Sequence, residues 1–326
     1  MNRRRGTAVA LLGAVGFFLA VQLGALWLQE PFAAAGFRAV EDPSDPANAA
    51  FYVGVLLVST VVMLALLKYD LTPLLRGIIV LTSGLIAAYV FSVVVPPLVD
   101  LPGAFHLGAL LAAGALLLGL TWYPEWWVID AAGLVMGMGA AALFGISLDV
   151  LPVLLLLAVL AVYDAISVYG TEHMLTLASG VMELRVPVVV VLPTTRSFSF
   201  RELGAEMAGE GESNGADDPG SASESSPFDR DAVFIGLGDA VMPTILVVSS
   251  ATFLETPAVL GVELASLGAM VGTLLGLGAL LALVLKGRAH AGLPLLNGGS
   301  IAGYLVGALA SGIPLLDALG LAARLG

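Results

Sequence analysis

Apolar residues run in long blocks along nearly the whole chain, separated by short polar turns. Nine blocks stand out, near 7–29, 51–67, 77–97, 104–122, 127–147, 151–170, 232–253, 258–285 and 293–314. A helix needs about 20 mainly apolar residues to cross a bilayer, so this pattern predicts nine transmembrane helices. The fold class that follows is an all-α multi-pass membrane protein. One apolar stretch does not fit. VPVVVVLP, 186–193, is β-branched, carries Pro187 and Pro193, and cannot cross as a helix. It predicts a short β-strand before the seventh span.

The first block follows MNRRRG, a start that a cleaved signal peptide shares. Its apolar run is longer than a usual signal core and reads as a retained anchor. Residues 201–231, RELGAEMAGEGESNGADDPGSASESSPFDRD, have no apolar period and are rich in Gly, Ser and acid. They read as a disordered cytoplasmic loop. The chain thus divides into an N-terminal membrane part at 1–185, a strand-like segment with the acidic loop at 186–231, and a C-terminal membrane part at 232–326.

Composition agrees with a membrane interior. Of 326 residues 59% are hydrophobic and only 12% charged, with a mean hydropathy of +0.99. The absence of cysteine excludes disulfides, thiolate zinc sites and thiol nucleophiles. His106, His173 and His290 are too scattered to suggest a metal site, and no cofactor is expected. A net charge of −12 with only Lys68 and Lys286 as lysines suits a high-salt cytoplasm and gives no reason to expect nucleic acid as a partner.

Charge placement orients the spans. With the N-terminus inside, Arg3, Arg4, Arg5, Lys68, Arg76, Arg185, Arg196, Arg201, Arg230, Lys286 and Arg288 all fall inside, leaving Arg38 and Arg324 outside. Positive residues favour the cytoplasmic side, so the expected topology is N-terminus cytoplasmic and C-terminus outside.

Against this background two acids matter. Asp164 lies in LAVLAVYDAISVYG, in a run that opens at Leu151 and meets no other charge until Glu172. A carboxylate there costs about 2.5–3.5 kcal/mol on insertion scales and marks a functional site by default. Asp239 lies in VFIGLGDAVMPTILVV, 233–248, just after Gly236-Leu237-Gly238 and four residues before Pro243. The glycines allow close approach of another backbone, and the proline weakens the same turn. Asp130 and Asp149 fall near block ends and read as interfacial.

Two carboxylates meeting at low dielectric cannot both ionise, so they share a proton. Such a pair is the machinery of an aspartic protease, in which one carboxylate takes a proton from water while the other donates to the scissile carbonyl. Midplane acids also serve as proton relays in transporters with broken helices. Both readings stand on these residues alone. No G-x-S-x-G, HExxH or Walker-type phosphate loop is present.

Three motifs add a resemblance. Tyr163-Asp164 with its continuation, Gly236-Leu237-Gly238-Asp239, and GLPLLNGG at the start of the ninth block resemble the intramembrane aspartyl proteases of the presenilin and signal peptide peptidase type. Their order on the sixth, seventh and ninth spans is similar to that family's layout. Gly292-Leu293-Pro294 occupies the place of the family's Pro-Ala-Leu-Pro segment, with Gly for Ala and His290-Ala291 where a proline is usual.

The resemblance implies that Asp164 and Asp239 form the catalytic pair. It implies that Gly236, Leu237 and Gly238 shape the cleft, that Gly292, Leu293 and Pro294 pack beside it and help seat substrate, and that Tyr163 packs or hydrogen-bonds near the pair. It further implies transmembrane peptide substrates that unwind and pair as a strand, with VPVVVVLP as the template edge. Membrane lipid, no obligate protein subunit, and the plasma membrane of an archaeon-like prokaryote complete the expectation. An N-inside topology resembles presenilin, and favours substrates running N-out. A prepilin-type GxGD peptidase is the nearest rival, but there a Lys commonly follows the Asp by two positions, where this chain has Val241.

Overall fold

The first helix shows how the bundle is organised. Along α1 (Arg3–Ala34), Ala10, Ala14, Phe18, Val21, Ala25, Leu28 and Phe32 are all buried, spaced by three or four residues. That spacing draws one apolar seam along a helix. On the other face Leu12, Leu23 and Trp27 are exposed. A helix apolar on both faces, with only one face packed, is built for a lipid surround. The same holds more strongly for α2 (Ala47–Lys68), which has Ala49 as its only buried residue.

The structure, a computed structural model, describes residues 3–69, 71–99, 105–170, 189–193, 232–286 and 291–322. After α1 and α2 come α3 (Thr72–Val94), α4 (Leu107–Trp122), α5 (Trp126–Ser147) and α6 (Val150–Gly170). Strands β1 (Val189–Pro193) and β2 (Ala232–Gly236) precede α7 (Leu237–Phe253). A small hairpin, β3 (Ala258–Val259) and β4 (Val262–Glu263), leads into α8 (Leu264–Val284), followed by α9 (Gly292–Ala310) and a short α10 (Leu315–Ala318). Seven of the helices, α1, α2, α3, α5, α6, α8 and α9, are long and apolar enough to cross a membrane; α4 and α7 are shorter apolar helices. The fold is mostly helical, with strands at two places.

Two expectations change. The block at 232–253 is not helical throughout: its first five residues form β2, and the helix starts at Leu237. The 258–285 block begins with the β3–β4 hairpin, where Leu260 and Gly261 both take positive φ, so its helix starts at Leu264. The anticipated strand exists over Val189–Pro193 and has a partner that the apolar pattern concealed, because β2 reads as the front of a span. The acidic segment at 201–231 lies outside the described residues.

Helix α7 can be short because it is wrapped by protein. Ala240, Val241, Pro243, Thr244 and the run from Ile245 to Ser250 are buried, enclosed by α1, α5, α6, α8 and α9. Its buried serines are bonded: the Ser249 hydroxyl donates to the Leu148 carbonyl at 2.7 Å, and Ser250 and Ser266 share a hydrogen bond at 2.8 Å.

Helices α8 and α9 approach most closely. Gly268, Gly272 and Gly276 on α8 face the main chain of α9, while Gly299, Gly303 and Gly307 on α9 face that of α8. A Cβ at any of these six positions would collide with the opposite backbone. Reciprocal GxxxG stripes let backbones touch where lipid supplies no hydrophobic drive. This contact fixes the position of α9, and with it Gly292.

Candidate active site

The C-terminal part of α6 and the N-termini of α7 and α9 meet at one end of the bundle. Each brings a group that its local sequence prepares. Helix α9 starts at Gly292, and the first N–H groups of a helix have no partner within it. Pro294, in that first turn, has no N–H to leave unpaired. The two donors before it turn to Asp164. The Leu293 N–H donates to Asp164 Oδ2 at 3.0 Å, with the Gly292 N–H as a second partner. A carboxylate at a helix N-terminus also meets the positive end of the helix dipole.

Asp239 reaches the same place from the first turn of α7. A Cβ on Gly292 would stand 3.4 Å from Asp239 Oδ2, and a Cβ on Gly236 would stand at the same distance. Glycine at both positions leaves this carboxylate approachable from two sides. Both acids are half-buried, and they lie near enough to interact electrostatically. They converge on one dipeptide, Gly292-Leu293.

The supporting bonds come from α9 as well. One turn further along, the buried Asn297 donates from Nδ2 to the Leu157 carbonyl of α6 at 3.0 Å. Ser300 donates to the Pro243 carbonyl of α7 at 3.3 Å. Leu293, Asn297 and Ser300 share one face of α9, so this helix ties together both acid-bearing helices. Tyr169, on α6, accepts a long hydrogen bond of 3.4 Å from the Ala291 N–H.

The remaining candidates fall differently. Leu237 is buried, and its side chain packs against Gly137 of α5 rather than toward the carboxylates. Gly238 faces open space. Tyr163 is 40% exposed, and among the described residues no hydrogen bond joins it to either acid. Asn297, Ser300 and Tyr169 escaped the motif reading. Their signal, polar groups at helical spacing from Leu293 and Asp164, has meaning only once α6 and α9 are known to touch. His106 caps α4, accepting from the Ala109 N–H at 3.2 Å while its other ring nitrogen lies 3.2 Å from the Ser92 carbonyl. Among the described residues no cluster could hold a metal ion.

Strands β1 and β2 pair antiparallel, Val191 opposite Phe234 and Val189 opposite Gly236. Val191 and Phe234 share one face with Val128 and Ile129 of α5, while Val190 and Ile235 pack on the other. The Val191 N–H donates to Asp130 Oδ1 on α5 at 2.8 Å, so it points away from β2. Asp130, read from the sequence as interfacial, is therefore also a strand partner. Opposed residues in an antiparallel pair turn their polar groups either toward each other or both outward. Phe234, and by alternation Ala232 and Gly236, thus carry the outward N–H and C=O groups of β2. That edge runs straight into α7, with Asp239 three residues beyond Gly236.

The profile of a family described as signal-peptide peptidase, presenilin aspartyl protease matches residues 15–313. The chain belongs to this family. It is accordingly an intramembrane aspartyl protease, an aspartic endopeptidase and an integral membrane protein. Two structures of a presenilin family intramembrane aspartate protease are similar to it. The one in space group C222 is 37% identical at a TM-score of 0.65, covering 92% of this chain and 99% of that one. The one in space group P2 is 38% identical at 0.61, covering 92% and 98%. Among curated proteins no sequence matches. The match spans every element of the protease from the middle of α1 to the end of α9, and so includes both acids and the Gly292-Leu293 dipeptide.

Proposed function

We propose that Asp164 and Asp239 are the catalytic dyad and that the bond cut lies within a transmembrane peptide. The observation that carries the assignment is the convergence of both carboxylates on Gly292-Leu293. With one acid ionised and one protonated, the ionised group takes a proton from water as the water oxygen bonds to the scissile carbonyl carbon. The other group gives its proton to the carbonyl oxygen, producing a neutral tetrahedral diol. As the C–N bond breaks, the first acid passes its proton to the leaving nitrogen. One diol proton returns to the second acid, which restores the pair. Neither a metal nor a covalent intermediate enters these steps.

A helical peptide bond is shielded by its own hydrogen bonds, so substrate must be extended before it can be cut. The outward edge of β2 suits an added strand, because its polar groups lead directly to Asp239. This moves the template from VPVVVVLP to its partner. In this reading Gly236 and Gly292 keep the dyad approachable, Leu237 anchors α7, and Leu293 and Pro294 build the turn that holds Asp164. The membrane parts at 1–185 and 232–326 each contribute one acid. Neither a prepilin-type peptidase nor a proton relay draws support from the family match.

The finer topology belongs to the same proposal: nine spans, with α4 and α7 counted, the N-terminus cytoplasmic and the C-terminus outside, in the plasma membrane of a prokaryote, without an obligate subunit. The chain has no cysteine, so single cysteines can report sidedness. Ser221→Cys should label only from the cytoplasmic side and Ser44→Cys only from outside.

The decisive experiment gives purified protein a labelled transmembrane peptide in liposomes. Wild type should cleave it, and Asp164→Asn and Asp239→Asn should each abolish cleavage. Cleavage surviving either change would falsify the dyad, and proton flux dependent on the acids without proteolysis would point to transport.

A further inference from the structure

Asp130 has no part in the chemistry above, yet its half-buried carboxylate is committed to one backbone N–H. Strand β1 has two edges. Its inner edge is paired with β2, and its outer edge, at Val191, meets Asp130 Oδ1 at 2.8 Å. Side-chain packing reinforces the attachment, since Val191 sits among Val128, Ile129 and Ala132, the neighbours of Asp130 on α5. On the other side of the sheet, Leu192 touches α1 at Gly13, where a Cβ would stand 3.2 Å away. An unpaired strand edge invites another strand. A two-stranded sheet ordinarily offers two such edges, and they are not equivalent here. A substrate strand added to β2 continues toward Asp239, whereas one added to β1 would lie a strand further from the dyad.

We infer that Asp130 is a positioning residue for proteolysis, closing the outer edge of β1 so that substrate adds only to β2, in one register. The inference rests on the strand-pairing reading of the proposed function. Asp130 touches neither substrate nor the reacting atoms; it acts through Val191. Two consequences separate this role from simple packing. First, losing the bond should change where the peptide is cut as well as how fast, because a sheet no longer tied to α5 can shift against its partner and bind strands on the wrong side. Second, the bond has a second handle. The Val191 N–H is not part of the β1–β2 ladder, so Val191→Pro removes the donor without removing a ladder bond.

The test measures initial rates and cleavage positions, by mass spectrometry, on one labelled transmembrane peptide in liposomes. Wild type, Asp130→Ala, Asp130→Asn, Val191→Pro and the Asp130→Ala/Val191→Pro double variant are compared at matched folded fraction, judged by thermal unfolding. Asp130→Ala should lower kcat/KM by about three- to tenfold, the scale of one lost hydrogen bond, and spread cleavage over neighbouring bonds. Asp130→Asn, whose amide oxygen still accepts, should restore the single site. Val191→Pro should reproduce the spread, and the double variant should be no worse than either single one.

Unchanged cut positions in Asp130→Ala, failure of Asn to rescue, or additive effects in the double variant would each overturn the inference. If Asp130→Ala does not fold, the comparison of Asn with Val191→Pro decides: Asn must cut at the wild-type bond and Val191→Pro must not. Absence of cleavage by wild type would instead strike the proposed function, which keeps the two failures apart.

Discussion

Leu293 donates its main-chain N–H to the carboxylate of Asp164 at 3.0 Å, across 129 residues of sequence. This bond fastens α6 to α9, and under the proposed mechanism the same carboxylate is also a reacting group. The two duties can be separated by substitution. Asn keeps an acceptor oxygen and loses the charge, whereas Ala loses both. Both variants should be inactive. Asp164→Ala should also lower unfolding stability by about 1 kcal/mol, the scale of one lost hydrogen bond at a half-buried donor, while Asp164→Asn should melt at or above the wild-type temperature in detergent. An Ala variant as stable as the Asn variant would show that the bond carries no structural weight.

Activity should depend on pH through the pair rather than through either acid. Under the proposed mechanism the productive state has one proton between two carboxylates, so the rate should fall on the acid side, where both are protonated, and on the alkaline side, where neither is. The measurement is the initial rate of cleavage of one peptide across the acid-to-alkaline range, with peptide binding followed separately. A flat profile from acid to neutral would contradict a shared proton.

Glycine contacts between α8 and α9 should tolerate no side chain. At Gly272 and Gly303 even a methyl group meets the opposite main chain. Gly272→Ala or Gly303→Ala should cost about 1–3 kcal/mol by forcing the helices apart, and should reduce cleavage by displacing Gly292 from the acids. Gly278, on the same helix, has no neighbour within 4 Å, so Gly278→Ala should leave activity unchanged and stability equal or slightly higher. Equal effects at Gly272 and Gly278 would remove the packing explanation.

At the start of α8, Glu263 is pushed above the ordinary carboxylate range by burial first and by the charge of Glu255 second. One of its oxygens, Oε2, is buried with no hydrogen-bond partner among the described residues. A raised carboxyl disfavours the folded state only when ionised. Its cost is absent below the ordinary glutamate value, grows as pH rises from that value to the raised one, and is constant above it. Glu263→Gln should thus melt higher than wild type at neutral pH and together with it at acid pH. A difference that persists unchanged into acid would assign the effect to shape rather than charge.

Much of this molecule is legible along the chain. Long apolar blocks fix a membrane-embedded helical protein, because hydrocarbon admits only helices or closed barrels. An acid deep in such a block is expensive enough to declare itself, as Asp164 and Asp239 do, and the glycines and proline beside them mark bent, closely packed turns. These are local signals, each carried by neighbouring residues and each paid for locally in transfer free energy. Other features have no local cost. Strand β2 looks like the front of a span until β1 pairs with it, and Asp130 shows no strand partner until Val191 lies beside it. Asn297 and Tyr169 are ordinary polar residues until α9 is set against α6. Whether two acids share a proton depends on a few ångströms, and the glycine contact of α8 with α9 helps place Gly292-Leu293 beside both carboxylates. The sequence by itself determined which groups the membrane would find costly; only tertiary packing decided which of them meet, because hydrogen bonds and steric contacts act at distances that sequence separation does not encode.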